Sequence, residues 1–292
     1  MELITVALAM AVGLSLSGSV AYVLEYMDGA IKSQDEIEVL LNTPVVGNIF
    51  EVKQGKNKQP FSIADNPRHP VTEAFRNLRT FIEFTNRDKL HTILVTSAGS
   101  NDGKTWIAAN LAISMAREGK RVVLIDADLR NPSLHQFFHE ERENGLTDLF
   151  QGKQAVTDVL KYNNKERVGL ITAGELPQNT YELMNIKMME RILMELMDAV
   201  DTVIIDSPPF FIADSVLLSS LVDSVLAVVR PNHTLKQSAL AMIEQIHRSG
   251  GNLTGVVINR IPFRQLKYYL KYPYNSLEKY HLASERMQKE PR

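Results

Sequence analysis

The chain's 292 residues, 45% hydrophobic and 23% charged, hold enough apolar material for a full α/β core with small appendages. A formal net charge of −2 supplies no bulk attraction for nucleic acid, and none is expected as a partner. Without cysteine there are no disulfides, thiolate metal sites or thiol nucleophiles, a composition that suits the cytoplasm.

The N-terminus departs from that picture. Leu3 to Leu24 is a run of 22 residues without a charge. At about 1.5 Å per residue such a helix is roughly 33 Å long, enough to cross a bilayer. Only Met1 and Glu2 precede it, so it lacks the basic start of a secretory signal. A buried helix of a soluble protein is the alternative, and Ser15, Ser17 and Ser19 speak for it. We expect residues 1–26 to form a transmembrane helix. The first lysine, Lys32, lies on its C-terminal side, which places the bulk of the chain in the cytoplasm.

Residues 27–69 read as a connector. A short polar helix is expected over Gln34 to Leu41, stopped by Asn42-Thr43-Pro44, followed by a small strand or turn at Val45 to Ile49. Gly55 to Pro60 reads as a solvated linker. After Pro70 the spacing predicts an amphipathic helix with Val71, Phe75, Leu78 and Ile82 on one face. Glu73, Arg76 and Arg79 fall off that stripe, and spacing alone makes them a solvated face with pairing along the helix.

The most informative stretch is His91 to Met115. A β-branched strand, Thr92 to Thr96, gives way to helical spacing at Ile107, Leu111 and Ile113. Between them Gly99, Ser100, Asn101, Asp102 and Gly103 form a loop that ends in Lys104 and Thr105. Strand, loop and helix in that order, with Gly-Lys-Thr at the junction, is a phosphate-binding loop. Loop and first-turn N–H groups converge on a spot where the helix dipole also favours negative charge. Gly103 permits close approach, Lys104 reaches the β- and γ-phosphates of ATP, and the Thr105 hydroxyl can ligate Mg²⁺. The pattern is slightly degenerate, with Ala98 where glycine is usual and Gly99 one place later.

Two further apolar strands end in acid. One runs through Val122 to Asp126-Ala-Asp128, the other from Asp201 to Asp206-Ser-Pro-Pro. Such carboxylates sit where open α/β sheets bind ligands, and an apolar strand ending in Asp is a Walker B arrangement for Mg²⁺. Ser224 to Val229 and Gly255 to Asn259 read as strands, Thr234 to Arg248 and the Met-rich stretch Met184 to Met197 as helices. Alternating strands and helices imply a three-layer α/β sandwich with a mainly parallel sheet. His135 and His139, four apart, are best read as surface packing. The tail is the second unusual feature. Tyr268, Tyr269, Tyr272, Tyr274 and Tyr280, five of nine tyrosines, fall within 13 positions among lysines. Phenol hydroxyls on a mobile tail make good phosphoryl acceptors.

Taken together, these motifs resemble the bacterial tyrosine kinases that are fused to polysaccharide co-polymerase membrane proteins of capsule and exopolysaccharide export. The likeness runs from Leu3 to the C-terminus, with Walker A at Ala98–Thr105, a second acidic Walker motif at Val122–Arg130 and Walker B at Val203–Pro209. It implies transfer of the ATP γ-phosphoryl group to a tyrosine of an adjacent subunit. Lys104, Asp126, Asp128 and Asp206 would be catalytic, and Thr105 with the three aspartates would hold Mg²⁺. Residues 99–106 and Asn259 would bind the nucleotide, with Trp106 standing where Ser or Thr is usual. Glu73-x-x-Arg76-x-x-Arg79 would join subunits into a ring, and the five tail tyrosines would be the acceptors. The resemblance further implies an activator segment over 27–69, a kinase domain over 70–262 and a tail over 263–292. It also implies the bacterial inner membrane, the polysaccharide export machinery, a separate periplasmic chain-length subunit and a phosphotyrosine phosphatase as the setting. A partitioning or cell-division ATPase is the main alternative, but Gly99 stands where that group has the first lysine of its loop. A ring-forming ATP-binding regulator of weak catalysis is the other.

Overall fold

The computed structural model describes residues 5–6, 10, 12–19, 29–52, 60–85, 90–176 and 184–262. Its elements in chain order begin with α1 Gln34–Leu41, β1 Val45–Phe50, α2 Pro70–Thr85, β2 Thr92–Ser97, α3 Lys104–Arg117 and β3 Val122–Asp126. Three short helices follow, α4 Leu134–Phe138, α5 Leu146–Phe150 and α6 Val156–Val159, then β4 Lys161–Asn163 and β5 Val168–Ile171. The chain continues through α7 Ile186–Ala199, β6 Thr202–Asp206, α8 Ala213–Ser219, β7 Ser224–Val229, α9 Lys236–Arg248 and β8 Leu253–Ile261.

The strands form one sheet of eight in the order β1-β8-β7-β2-β6-β3-β5-β4. Every neighbouring pair is parallel except β4 with β5. Parallel neighbours need crossovers, and the helices between strands supply them. All residues of β2, β3, β6 and β7 are buried, so both faces of the sheet are covered and the architecture has three layers. This is the P-loop NTPase-like α/β arrangement. It brings the C-terminal ends of β2, β3 and β6 to one edge.

Local chemistry explains the elements. Ser33 caps α1, its hydroxyl accepting from the Glu36 N–H at 3.2 Å, and Asn42 ends the helix in the left-handed region. On α2 the stripe Val71, Phe75, Leu78 and Ile82 is fully buried. The Met-rich helix α7 turns Met189, Ile192, Leu193 and Leu196 inward, and the Asn185 side chain accepts from the Met188 N–H.

Residues 29–52 are no connector. β1 is an edge strand of the main sheet, paired in parallel with β8 through Val45↔Val256 and Asn48↔Ile258. The approach is close, because a Cβ at Gly255 would meet Val46 Cγ1 at 2.2 Å. A boundary at residue 70 therefore cuts through the folded unit. Among the described residues no helix is long and apolar enough to cross a membrane. Residues 12–19 are helical and exposed, and most of the remaining Leu3–Leu24 run lies outside the described residues. So do residues 55–59 of the expected linker and the five tail tyrosines.

Candidate nucleotide site

The site is assembled at the C-terminal edge of three adjacent strands. Asp126 and Asp206 close β3 and β6 and are direct cross-strand partners. On the other side of β6, Val95 pairs with Asp206, and β2 runs on into the loop from Ala98 to Gly103. Gly103 caps α3 at φ 94° with no side-chain hydrogen bond to the helix. The first-turn N–H groups therefore have no side-chain cap, as an anion site at a helix start requires. Glycine is needed there for a second reason. A Cβ would lie 2.2 Å from Asn259 Nδ2.

Lys104 opens α3, and its Nζ lies 2.7 Å from Asp128 Oδ2. Burial pulls the ammonium's pKa down, but the charges of Asp206, Asp128 and Asp126 outweigh it and hold it above its ordinary value. Asp206 is fully buried, and burial pushes its carboxyl up to about 6 against the opposing charge of Lys104. The Thr105 hydroxyl also lowers Asp206, yet among the described residues neither Asp206 oxygen has a partner at hydrogen-bonding geometry. Asp126 is held by one oxygen only. Its Oδ2 accepts from the Ser133 and Leu134 N–H groups at 3.1 and 3.0 Å, while Oδ1 has no partner among the described residues. Burial, followed by the Asp206 charge, raises Asp126 well above the usual carboxylate range.

Three buried carboxylate oxygens without hydrogens to accept, beside a hydroxyl, make a donor set that fits Mg²⁺. Buried acceptors left unpaired are costly, and a hard cation with oxygen ligands would satisfy them. The set is not a cage. Among the described residues no three His, Cys, Asp or Glu side chains gather as a metal centre, and Asp128 is committed to Lys104. The Asp126 and Asp206 charges act on the same ammonium that Asp128 pairs with. Mg²⁺ needs no such cage, since it is usually held by one or two carboxylates plus phosphate oxygens and water.

Other expected site residues take different places. Asn259 is fully buried behind the loop, its Nδ2 donating to the Asp102 carbonyl at 2.8 Å and its Oδ1 accepting from the Arg260 N–H. It supports the loop from behind. The Trp106 indole donates to the Phe61 carbonyl at 2.9 Å and packs edge-on against Phe75, so its side chain fastens residues 60–62 to α3. Glu73 and Arg76 form an exposed pair at 2.7 Å. Arg79 differs. Its side chain is only 12% exposed, and its Nη1 donates to the Ser114 carbonyl and to Glu118 of the same chain. It docks α2 on α3. Ser133, whose hydroxyl donates to Thr105 Oγ1 at 3.3 Å, and Asp214, 3.8 Å from Arg130, also border the carboxylates. Burial raises the Asp214 carboxyl against Arg130.

A strand–loop–helix with an uncapped helix start, a lysine and strand-end carboxylates defines a P-loop nucleotide-binding protein. Residues 91–253 match the family model described as an AAA domain. The chain is 34% identical over 195 residues to the tyrosine-protein kinase YwqD of Bacillus subtilis, covering 66% of this chain and 82% of that protein. It is 29% identical over 223 residues to the putative tyrosine-protein kinase CapB of Staphylococcus aureus, covering 75% and 98%. Among solved structures, the chimerical protein CapA2B2 superposes with a TM-score of 0.72 at 29% identity, covering 79% of this chain and all of that one. A MinD cell division protein from Aquifex aeolicus is a more distant neighbour, with a TM-score of 0.51 over 61% of this chain and 72% of that one, at 25% identity. The chain belongs to the family of bacterial tyrosine kinases of capsule and exopolysaccharide systems. It is a protein-tyrosine kinase that binds ATP.

Proposed function

We propose that the chain phosphorylates tyrosines in the tail of a neighbouring copy, using ATP with Mg²⁺, and that this autophosphorylation regulates capsule or exopolysaccharide polymerisation and export. The observation that carries the reading is the pair of Asp206 oxygens, without a partner among the described residues and under the charge of Lys104, beside an uncapped helix start. Phosphoryl transfer is mostly positioning and charge neutralisation, and this arrangement supplies both. Loop and first-turn N–H groups orient the phosphates, and Lys104 neutralises them. Asp206, the Thr105 hydroxyl and the open oxygen of Asp126 would hold Mg²⁺, which would supply screening of the phosphate charge. Asp128 is paired to Lys104 in this structure. Phosphates that draw Lys104 away free the Asp128 carboxylate to accept the tyrosine proton. The acceptors are Tyr268, Tyr269, Tyr272, Tyr274 and Tyr280.

We further place the Leu3–Leu24 run in the bacterial inner membrane, with the catalytic unit on the cytoplasmic side beside a polysaccharide co-polymerase. The exposed Glu73–Arg76 pair is the element available to a neighbouring copy in a ring, and a phosphotyrosine phosphatase would reset the tail. The test is incubation of the purified chain with ATP and Mg²⁺, followed by phosphotyrosine detection and mass mapping. Labelling confined to residues 268–280, lost when those five tyrosines are phenylalanine, is the expected result. Nucleotide binding without any phosphotyrosine would replace the kinase reading by that of an ATP-binding assembly regulator.

A further inference from the structure

Asp102 lies inside the phosphate-binding loop and is fully buried. A desolvated carboxylate placed among groups meant for phosphate is an electrostatic liability unless donors hold it turned away. Three do. Its Oδ2 accepts from the Gly99 N–H at 2.9 Å, closing the loop on itself. Its Oδ1 accepts from Thr234 Oγ1 at 2.8 Å and lies 3.2 Å from His233 Nδ1. The Thr234 hydroxyl is fixed in direction. Its oxygen accepts from the Arg230 N–H at 2.8 Å, so its single proton is committed to Asp102. The 230–236 turn is itself braced from behind by the N-terminal segment. Ile31 N–H donates to the Thr234 carbonyl at 3.0 Å, Asn232 N–H to the Ile31 carbonyl at 2.8 Å, and Lys236 N–H to the Gly29 carbonyl at 2.8 Å.

We infer that the 230–236 turn is a clamp on the phosphate-binding loop, with His233 and Thr234 as positioning residues that act through Asp102. Neither side chain needs to touch the nucleotide. Together they hold the Asp102 carboxylate away from the phosphate position and so keep the Gly99 end of the loop in its receiving shape. Gly99, Asp102 and the first turn of α3 then form one rigid cradle anchored at a point more than a hundred residues away in sequence. The brace from residues 29–32 makes the loop's shape depend on how the N-terminal segment is seated.

The inference rests on the nucleotide-site reading, and one experiment separates the two. A fluorescent ADP analogue is titrated into the full chain and its variants, with melting temperature as a check on folding. Thr234→Val should weaken binding roughly tenfold, because it leaves a buried carboxylate short of a donor. Thr234→Ser should restore it, and His233→Ala should show a smaller loss that His233→Asn recovers. With ATP as substrate the loss should fall on KM rather than kcat, as uniform binding predicts. In an Asp102→Ala background neither Thr234→Val nor His233→Ala should weaken binding further. Unchanged affinity in Thr234→Val and His233→Ala beside a wild type that binds, or an equal loss with and without Asp102, would overturn the clamp alone. A wild-type chain that binds no nucleotide would overturn the site reading and the clamp with it.

Discussion

The two ends of the same central strands treat their carboxylates in opposite ways. At the N-terminal edge, the Asp223 side chain accepts from the His91 and Thr92 N–H groups at 2.9 Å and from the Thr92 hydroxyl at 3.0 Å. Asp201 at the same edge accepts from the Arg121 N–H at 2.8 Å and from its guanidinium at 2.7 Å, and that pairing holds Asp201 below the usual carboxylate range. At the C-terminal edge, the two Asp206 oxygens and one of Asp126 have no such partner among the described residues, and burial drives both carboxyls up. One residue type thus caps strands at one end and is left unsatisfied at the other. An unsatisfied buried group costs stability, so it persists where a ligand will complete it. The contrast marks the functional end without reference to any relative.

Substitutions at the two ends should therefore give opposite signatures, and the largest is at Lys104. Lys104→Met keeps the apolar stem but removes the charge that faces three carboxylates and the phosphates. Tyrosine phosphorylation should fall by about 10²–10³-fold or more, with the fold intact by circular dichroism. Undiminished labelling would dissolve the contrast. Asp206→Asn sharpens it further. Activity should drop comparably, yet the nucleotide-free protein should become more stable. The sign follows from the raised carboxyl. With a folded value of about 6 against an ordinary 3.8, Asp206 favours folding fully below its unfolded pKa, and that contribution is lost as pH rises through 6. Removing the titration should raise stability at pH 7–8 by up to about 3 kcal/mol and flatten its pH dependence between pH 4 and 7. Melting curves across that range, without nucleotide, check it.

Much of this end was legible in the sequence because its signals are local. Lys104 and Thr105 follow from Gly-Lys-Thr after a strand, and Asp126 and Asp206 from apolar runs that end in acid. What could not be read depends on neighbours distant in the chain. β1 is six residues long and contains Gly47, and only its pairing with β8, some two hundred positions later, makes it part of the sheet. Arg79 falls off the apolar stripe of α2, so spacing exposes it, yet α3 covers it. Trp106 stood out as a departure, but its acceptor at Phe61 has no sequence signature. The short helices α4, α5 and α6 span four or five residues, too few for a helical period to repeat.

At the satisfied end the expected effects are on stability alone. Asp223→Ala leaves the N–H groups of His91 and Thr92 and the Thr92 hydroxyl without their acceptor, and Thr92 is buried. Unfolding by urea should register a loss of about 1–3 kcal/mol, while kcat and KM for ATP at a temperature where the variant is folded stay those of the parent. A drop in kcat of the folded variant would mean that the two edges are coupled through β2 and are not independent.

The smallest effect should come from Arg121→Ala. Its guanidinium meets Asp201 at 2.7 Å, but the two side chains are 67% and 40% exposed. Water competes for such a pair, salt screens it, and two side chains must be ordered to make it. The Arg121 N–H bond to Asp201 survives the substitution, so the strand-end cap remains. Melting temperature should be unchanged at physiological ionic strength and shift slightly, if measurably, only at low salt. Phosphorylation should be unaffected at either. A large, salt-independent loss of stability would show that the exposed pair stabilises the fold well beyond its solvent-screened charges. The contrast between the ends would then rest on which partners are present and no longer on burial.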